Sequence, residues 1–435
     1  MADVTISQGG AGQAQRALPP RRLRSPQDSD SSPFEKGGKE GGSYLDNGEL
    51  IDEVILTFFR APKSYTGEDV VEISCHGGRY AAARILELLL EQGARMARPG
   101  EFTERAFLNG KLDLAQAEAV AELIHSRTQQ AGRAAARQLA GGLSHKVSAM
   151  RSRLLDLLAL LELELDFSEE DVEFQAQSER LSTLRELMEE MRALTATFAR
   201  GRVVREGLRV AIVGAPNAGK STLLNALSGQ DRAIVSPEPG TTRDVVEAHI
   251  EVEGIELILQ DTAGLREAAG SIESEGIART RRAIEQADVV LLVVDASDPH
   301  WPEENTFGKR TLLVWNKTDL NGVVGAHSRA PVAFVSAHRI SALTGAGVEE
   351  LLHQILALTI GEEFGAQEII ISEARHHDAL TRAIGSLERA QLQIGQSTLM
   401  ASDLRDAVNA LGEITGETVG EEILDRIFSK FCIGK

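Results

Sequence analysis

Apolar positions recur at three- and four-residue spacing through two long stretches of the chain, one between Pro99 and Pro216 and one after Pro331. Neither stretch contains proline, which disrupts a helix interior by about 3 kcal/mol, and both are rich in Leu, Ala, Glu and Arg, so both predict mainly helical structure. Leu154, Leu157, Leu158, Leu161 and Leu165 draw one apolar stripe, and Leu181, Leu184, Leu187, Met188 and Met191 draw another, as expected of helix faces that pack on other helices. Between the two stretches the pattern changes. Leu208 to Val213, Val245 to Val252, Ile255 to Gln260, Val289 to Asp295, Thr311 to Trp315 and Val332 to Ser336 are short β-prone runs separated by glycine-rich turns and helical patterns. That alternation predicts an α/β sheet flanked by helices. From Leu45 to about Leu112 the pattern is mixed, with strands expected at Glu53 to Phe59 and Val70 to Cys75 and a helix from Tyr80 to Gln92. Residues 1–44, rich in Gly, Ser and Pro, read as mostly flexible chain. The expected division is therefore 1–44, a small α/β part over 45–112, helical parts over 113–206 and 362–435, and an α/β part over 207–361.

Composition narrows the class. At roughly 100–200 residues per domain, 435 residues make room for several separate cores. Lys and Arg total 46 and Asp and Glu total 65, a net charge of −19, which opposes general attraction to nucleic acid or anionic membrane. Cys75 and Cys432 are the only cysteines and lie far apart, which leaves no disulfide framework or thiolate cluster and suits a reducing compartment. The longest apolar runs, such as Val289 to Val294, fall far short of the roughly 18 residues of a membrane span, and no signal peptide is visible. A cytoplasmic protein is expected.

The chemistry is concentrated in the α/β part. Directly after the run Leu208 to Val213 comes Gly214-Ala215-Pro216-Asn217-Ala218-Gly219-Lys220-Ser221, which leads into a helix expected from Thr222 to Leu227. Glycines there let backbone N–H groups turn onto phosphates, Lys220 reaches the β- and γ-phosphate oxygens, and the Ser221 hydroxyl takes a Mg2+ position. Alone, this motif indicates a nucleoside triphosphate. Asp261-Thr262-Ala263-Gly264 then follows a strand end, where a carboxylate holds Mg2+ through water and the Gly264 N–H meets a γ-phosphate. Asn316-Lys317-Thr318-Asp319 closes the run Thr311 to Trp315; a carboxylate there accepts the guanine N1–H and exocyclic amine, a donor pair that adenine lacks. Ser336-Ala337 is expected to close the next strand and back the base edge. Each motif alone is compatible with an ordinary turn; ordered and placed at strand ends they predict a GTPase. Gly240-Thr241-Thr242-Arg243-Asp244 supplies a threonine hydroxyl for the Mg2+ shell once a γ-phosphate is present. Position 265 is Leu rather than a water-orienting Gln, and no arginine finger is obvious, so a monovalent ion beside Asn217 is one source of compensating charge; a plain loop role for Asn217 stays open.

These residues resemble the tRNA modification GTPase MnmE (TrmE) family. Outside the nucleotide motifs, Ser64-Tyr65-Thr66-Gly67-Glu68-Asp69, Arg98-Pro99-Gly100-Glu101-Phe102, Arg105-Ala106-Phe107-Leu108-Asn109 and Phe431-Cys432-Ile433-Gly434-Lys435 carry the resemblance, which covers about residue 45 to the end. It implies a P-loop GTPase domain inserted in a helical domain, preceded by a small α/β domain that binds folate and dimerises. It implies a K+ site of Asn217, Ser236, Glu238 and Thr241, Mg2+ on Ser221 and Thr242, and Glu273 positioning the attacking water. Glu72, Lys111 and Lys435 match folate-contacting positions, although solvated surface charge is their plainer reading without the family. It further implies a homodimer that joins a flavin-dependent partner, MnmG, in a heterotetramer. That assembly installs a carboxymethylaminomethyl or aminomethyl group at carbon 5 of the wobble uridine of certain tRNAs, with methylene-tetrahydrofolate as one-carbon donor. A chain this acidic is expected to leave much of the tRNA grip to the partner.

The start of the chain departs from the family. The usual Gly-Arg-Gly-Gly turn and Arg-Leu-Ser-Gly segment are missing from residues 7–44, which keeps open a variant that retains GTPase activity but not modification. A ribosome-assembly GTPase switch is a further alternative, disfavoured by the excess of acids over bases in residues 362–435. Cys432 is either a reactive thiol near Lys435 or a packing thiol, and Arg279, Arg281 and Arg282 are either partner contacts or a solvated helix face.

Overall fold

A computed structural model describes residues 2–7, 39–46, 49–166, 177–229, 247–261, 281–301, 310–320, 336–360 and 369–434. In chain order the elements begin with strands β1 (Ala2–Ser7), β2 (Lys39–Asp46), β3 (Glu49–Phe59) and β4 (Val70–Cys75), then helices α1 (Arg79–Glu91), α2 (Glu101–Leu108), α3 (Leu114–His125) and α4 (Gln129–Leu139). Helices α5 (Gly142–Asp166), α6 (Gln177–Ala196) and α7 (Phe198–Glu206) follow, then β5 (Leu208–Gly214), α8 (Lys220–Leu227), β6 (Glu247–Val252) and β7 (Ile255–Asp261). The remainder is β8 (Val289–Asp295), β9 (Thr311–Asn316), β10 (Ser336–Arg339), α9 (Val348–Ile360), α10 (Ala374–Leu392), α11 (Ser397–Thr415) and α12 (Glu421–Phe428). The chain forms two compact units, one of residues 1–121 with 412–435 and the other of residues 122–411.

In the first unit the sheet order is β1-β4-β3-β2, and every pairing is antiparallel. Alternation places Val54 and Leu56 of β3 and Ile73 and Cys75 of β4 on one face, where they pack with Ile85 of α1. The flexible reading of residues 1–44 is corrected at two places: β1 pairs with β4 through Ala2–Ser7, and β2 pairs with β3. Composition undercounted them because an edge strand draws its order from its neighbour's backbone, and the Val4/Ile6 alternation is too short to stand out. At the other end of this unit, α3 is opened by a reciprocal cap: Gln116 N–H donates to Asp113 Oδ1 at 2.9 Å, and Asp113 N–H donates to the Gln116 side chain at 3.0 Å. Leu114 and Ala117 of α3 pack with Ile427 and Phe428 of α12 and with Phe431. Residues 412–434 thus pack on α3, the first helix of the first expected helical part, and fall with it in the compact unit that also holds the antiparallel sheet. Gly100, at φ 70°, makes the approach possible, since a Cβ there would lie 2.7 Å from the Phe428 carbonyl oxygen.

The second unit joins helices to a six-stranded sheet of order β10-β9-β8-β5-β7-β6, parallel except for the β6–β7 hairpin. Strands β8 and β9 are apolar on both faces, as a parallel sheet covered on each side requires. Both predicted helix stripes are realised in α5 and α6. Leu154, Leu157, Leu158, Leu161, Leu184, Leu187, Met188 and Met191 are buried, whereas Leu165, near the end of α5, is 36% exposed. Arg180 of α6 pairs with Glu164 of α5. Helix α4 is capped by Thr128, whose hydroxyl accepts the Ala131 N–H at 3.3 Å. Its Gln130 side chain donates to the Glu253 carbonyl in the β6–β7 turn at 2.6 Å, while Arg127 pairs with the buried Glu256 at 3.2 Å. Among the described residues no helix is long and apolar enough to cross a membrane.

Candidate nucleotide site

Four strand ends converge at the carboxyl edge of the parallel sheet, where open α/β folds bind ligands: Gly214 ends β5, Asp261 ends β7, Asp295 ends β8 and Asn316 ends β9. Gly214 is required by space, since a Cβ would lie 2.2 Å from the Val293 carbonyl oxygen of the adjacent strand. From there the loop turns through Asn217 at φ 63° and Gly219 at φ 91° into α8, which starts at Lys220 rather than at Thr222. The buried Lys220 ammonium donates to the carbonyls of Gly214 at 3.0 Å and Ala215 at 2.8 Å, so it sits inside the loop it serves. The α8 N-terminus, with Ser221 and Thr222 exposed in its first turn, is the kind of helix start at which backbone N–H groups meet an anion.

Ser221 Oγ donates to Asp261 Oδ2 at 2.8 Å, and Asp261 is buried. This pairs a hydroxyl and a carboxylate at the phosphate loop, an oxygen donor set that suits Mg2+. The base-loop end of the site is built around Asn316. Its Nδ2 donates to the Ala218 carbonyl at 3.0 Å and its Oδ1 accepts the Ala342 N–H at 2.9 Å, which joins the phosphate loop to two strand-end loops through one side chain. Gly219 must lack a side chain for this, because a Cβ there would lie 2.3 Å from Asn316 Nδ2. Lys317, at φ 63°, pairs with Asp295 at 2.6 Å, and Thr318 donates through N–H and Oγ1 to the Ile340 carbonyl at 3.2 and 2.9 Å. Asp319 is exposed, with its carboxylate open to a base.

Ser336-Ala337 does not close a strand. It opens β10, with Ser336 opposite Leu312 at the start of β9, and the Ser336 hydroxyl contacts His338 at 2.8 Å. In a parallel strand that is the end away from the site. The second Ser-Ala pair, Ser341-Ala342, follows β10 at the carboxyl edge and supplies the N–H that Asn316 accepts. The signal for it was present in Ser341-Ala342-Leu343-Thr344-Gly345, a turn-rich segment directly after a strand. Asp295 was also missed as a partner of Lys317. Ser236, Glu238, Thr241, Thr242, Thr262, Ala263, Gly264, Glu273, Arg279 and Lys435 lie outside the described residues. Of the residues matched to folate contacts, Glu72 lies on β4, half-buried, and Lys111 donates to the Pro62 carbonyl at 3.0 Å. Cys75 is buried and Cys432 exposed, neither in a disulfide, and among the described residues no group of His, Cys, Asp and Glu is arranged to hold a metal.

A phosphate loop at a sheet's carboxyl edge, a hydroxyl–carboxylate pair beside it, and an Asn-Lys-Thr-Asp base loop define a P-loop GTPase. The comparisons narrow the class. The family model described as the MnmE helical domain matches residues 114–432, and that described as the GTP-binding protein TrmE N-terminus matches residues 14–111. The chain is 44% identical over 413 residues to the tRNA modification GTPase MnmE of Chlorobium chlorochromatii, covering 91% of this chain and 87% of that one. It is 45% identical over 411 residues to the protein of the same name from Moorella thermoacetica, covering 89% and 87%. A third, from Acetivibrio thermocellus, is 42% identical over 400 residues, covering 90% and 87%. The chain belongs to the tRNA modification GTPase MnmE family, and it is a GTP hydrolase.

Proposed function

We propose that this chain is a K+-dependent GTPase that works with an MnmG-type flavoprotein to modify carbon 5 of the wobble uridine of certain tRNAs, with methylene-tetrahydrofolate as one-carbon donor. The observation that carries this reading is the extent of the family match: it includes the N-terminal and helical parts, not the nucleotide motifs alone. In this reading the GTPase domain, residues 207–361, is inserted in a helical domain, and residues 45–112 form the core of a folate-binding and dimerising domain. Contact between helices on either side of the GTPase segment supports such an insertion: Arg192 of α6 pairs with Glu388 of α10 at 2.6 Å.

Lys220 leaves its two carbonyl partners for the β- and γ-phosphate oxygens when GTP enters, while the N–H groups opening α8 bind the same phosphates. Ser221 and Thr242 would hold Mg2+, with Asp261 beside Ser221 as its carboxylate support, and the ion when bound would offset charge on the phosphates. Asn316 holds the base loop, Asp319 accepts from the guanine edge, and Ser341-Ala342 replaces Ser336-Ala337 behind that edge. Asn217, Ser236, Glu238 and Thr241 would hold K+, which would supply compensating positive charge beside the phosphates, and Glu273 would orient the attacking water. Glu72, Lys111 and Lys435 contact folate. The protein acts in the cytoplasm as a homodimer, in a heterotetramer with its partner that supplies much of the tRNA contact.

Two measurements test this. Phosphate release from GTP is expected to rise in K+ over Na+, and equal rates would remove the K+ part of the reading. Mass spectrometry of wobble uridines in a deletion strain complemented with this chain is expected to show the modified base; its absence, with GTPase activity intact, would remove the modification part. Lys220→Ala is expected to lower kcat for GTP by about 100-fold or more in the same phosphate-release assay.

A further inference from the structure

Asp295 closes β8 opposite Asn316 of β9 in the parallel register. Its two carboxylate oxygens have separate duties. Oδ1 accepts the Ser297 N–H at 2.9 Å and the Ser297 hydroxyl at 2.6 Å, which fixes the rotamer and leaves Oδ2 facing the Lys317 ammonium at 2.6 Å. The Asp295 side chain is 17% exposed and that of Lys317 is 33% exposed. Burial pushes the Asp295 carboxyl up, but the Lys317 and Ser297 hydrogen bonds outweigh it and hold the group at about 2, so the carboxylate is charged wherever the protein works. On its other side the lysine runs close to the phosphate loop: a Cβ on Gly219 would lie 3.9 Å from Lys317 Cε.

We propose that Asp295 is a positioning residue for the nucleotide: by holding the Lys317 ammonium at the end of β8, it sets the lysine stem as a fixed apolar wall of the base pocket shared with Asn316 and Asp319. A lysine stem has many rotamers, and ordering it when a ligand arrives weakens binding; an ion pair already in place removes that cost beforehand. The contact lies at the base end of the site, away from the γ-phosphate. Its loss should therefore weaken GTP and GDP alike and leave the chemical step untouched, a KM effect without a kcat effect.

The test uses the full chain with a fluorescent GDP analogue and a phosphate-release assay. Asp295→Asn is expected to weaken GTP and GDP by about tenfold each, with kcat at saturating GTP within about twofold. Ser297→Ala, which removes one of the two bonds to Oδ1, is expected to shift both affinities the same way by a smaller factor. In a Lys317→Met background, Asp295→Asn should add less than about twofold, because the group it positions is gone. Unchanged GDP affinity in Asp295→Asn would overturn the proposal, as would a full additional loss in the Lys317→Met background. Should Asp295→Asn alone fail to fold, recovery of folded protein in the double variant supports the pairing, and failure of the double variant as well shows a role in the fold instead.

Discussion

Glu101, which opens α2, is a buried carboxylate held by several donors. It accepts Arg95 Nη2 at 2.5 Å, Arg105 Nη2 at 2.7 Å and the Arg98 N–H at 2.8 Å. The hydrogen bonds from Arg95 lower its pKa most, desolvation opposes them, and Arg98 and Arg105 lower it further, to about 2. A depressed carboxyl pKa contributes stability that is present above the unfolded value of 4.5 and is lost as pH falls toward 2. The contribution is on the order of 2 kcal/mol, discounted because Arg95 is largely exposed. Glu101→Gln is therefore expected to lower the urea midpoint at neutral pH and to flatten its decline between about pH 4.5 and 2, as followed by circular dichroism. At this scale the nucleotide motif was legible because its signature is local, glycines at positive φ at 214 and 219 close to the lysine they serve, even though the crowding that bars a side chain there comes from Val293 and Asn316. The Ser-Ala pair was not, because Ser336-Ala337 and Ser341-Ala342 are the same dipeptide, and only strand direction tells which lies at the carboxyl edge.

Helix α7 shows what an element can hide. Gly201 lies in its interior, where Ala is ordinarily favoured by about 1 kcal/mol, yet a Cβ there would lie 2.1 Å from the Ile371 carbonyl oxygen. The extended segment before α10 crosses the helix at this glycine and is pinned there: the Ile371 N–H donates to Thr197 Oγ1 at 3.1 Å, and Arg205 pairs with Glu373 at 2.9 Å. Gly201→Ala is expected to destabilise the protein by about 2 kcal/mol, read as a lower urea midpoint with an unchanged slope. An increase in stability would show that the segment yields easily. The helix itself followed from apolar spacing; the crossing did not, because its two parts are far apart in sequence.

On the scale of the whole molecule, the two chain ends complete one unit. Ile427, Phe428 and Phe431 pack on Leu114 and Ala117, and their removal would leave that apolar cluster open to water. Deletion of residues 412–435 is expected to abolish the calorimetric transition of the N-terminal unit while leaving GTP binding by the second unit, measured with the fluorescent analogue. Loss of both together would show that the units do not fold independently. The run Glu162 to Glu173, acidic without a base, contributes part of the net charge of −19, and it lies in and just after α5 rather than at the phosphate loop. The sequence by itself determined the phosphate loop, the base loop, the helix stripes and the family, because these rest on neighbouring residues and on backbone conformations that few residue types allow. Tertiary structure alone decided which Ser-Ala pair meets Asn316, that Asp295 anchors Lys317, and that strands precede β3. Each of these depends on segments brought together by sheet order and burial, and no spacing along the chain encodes such distances.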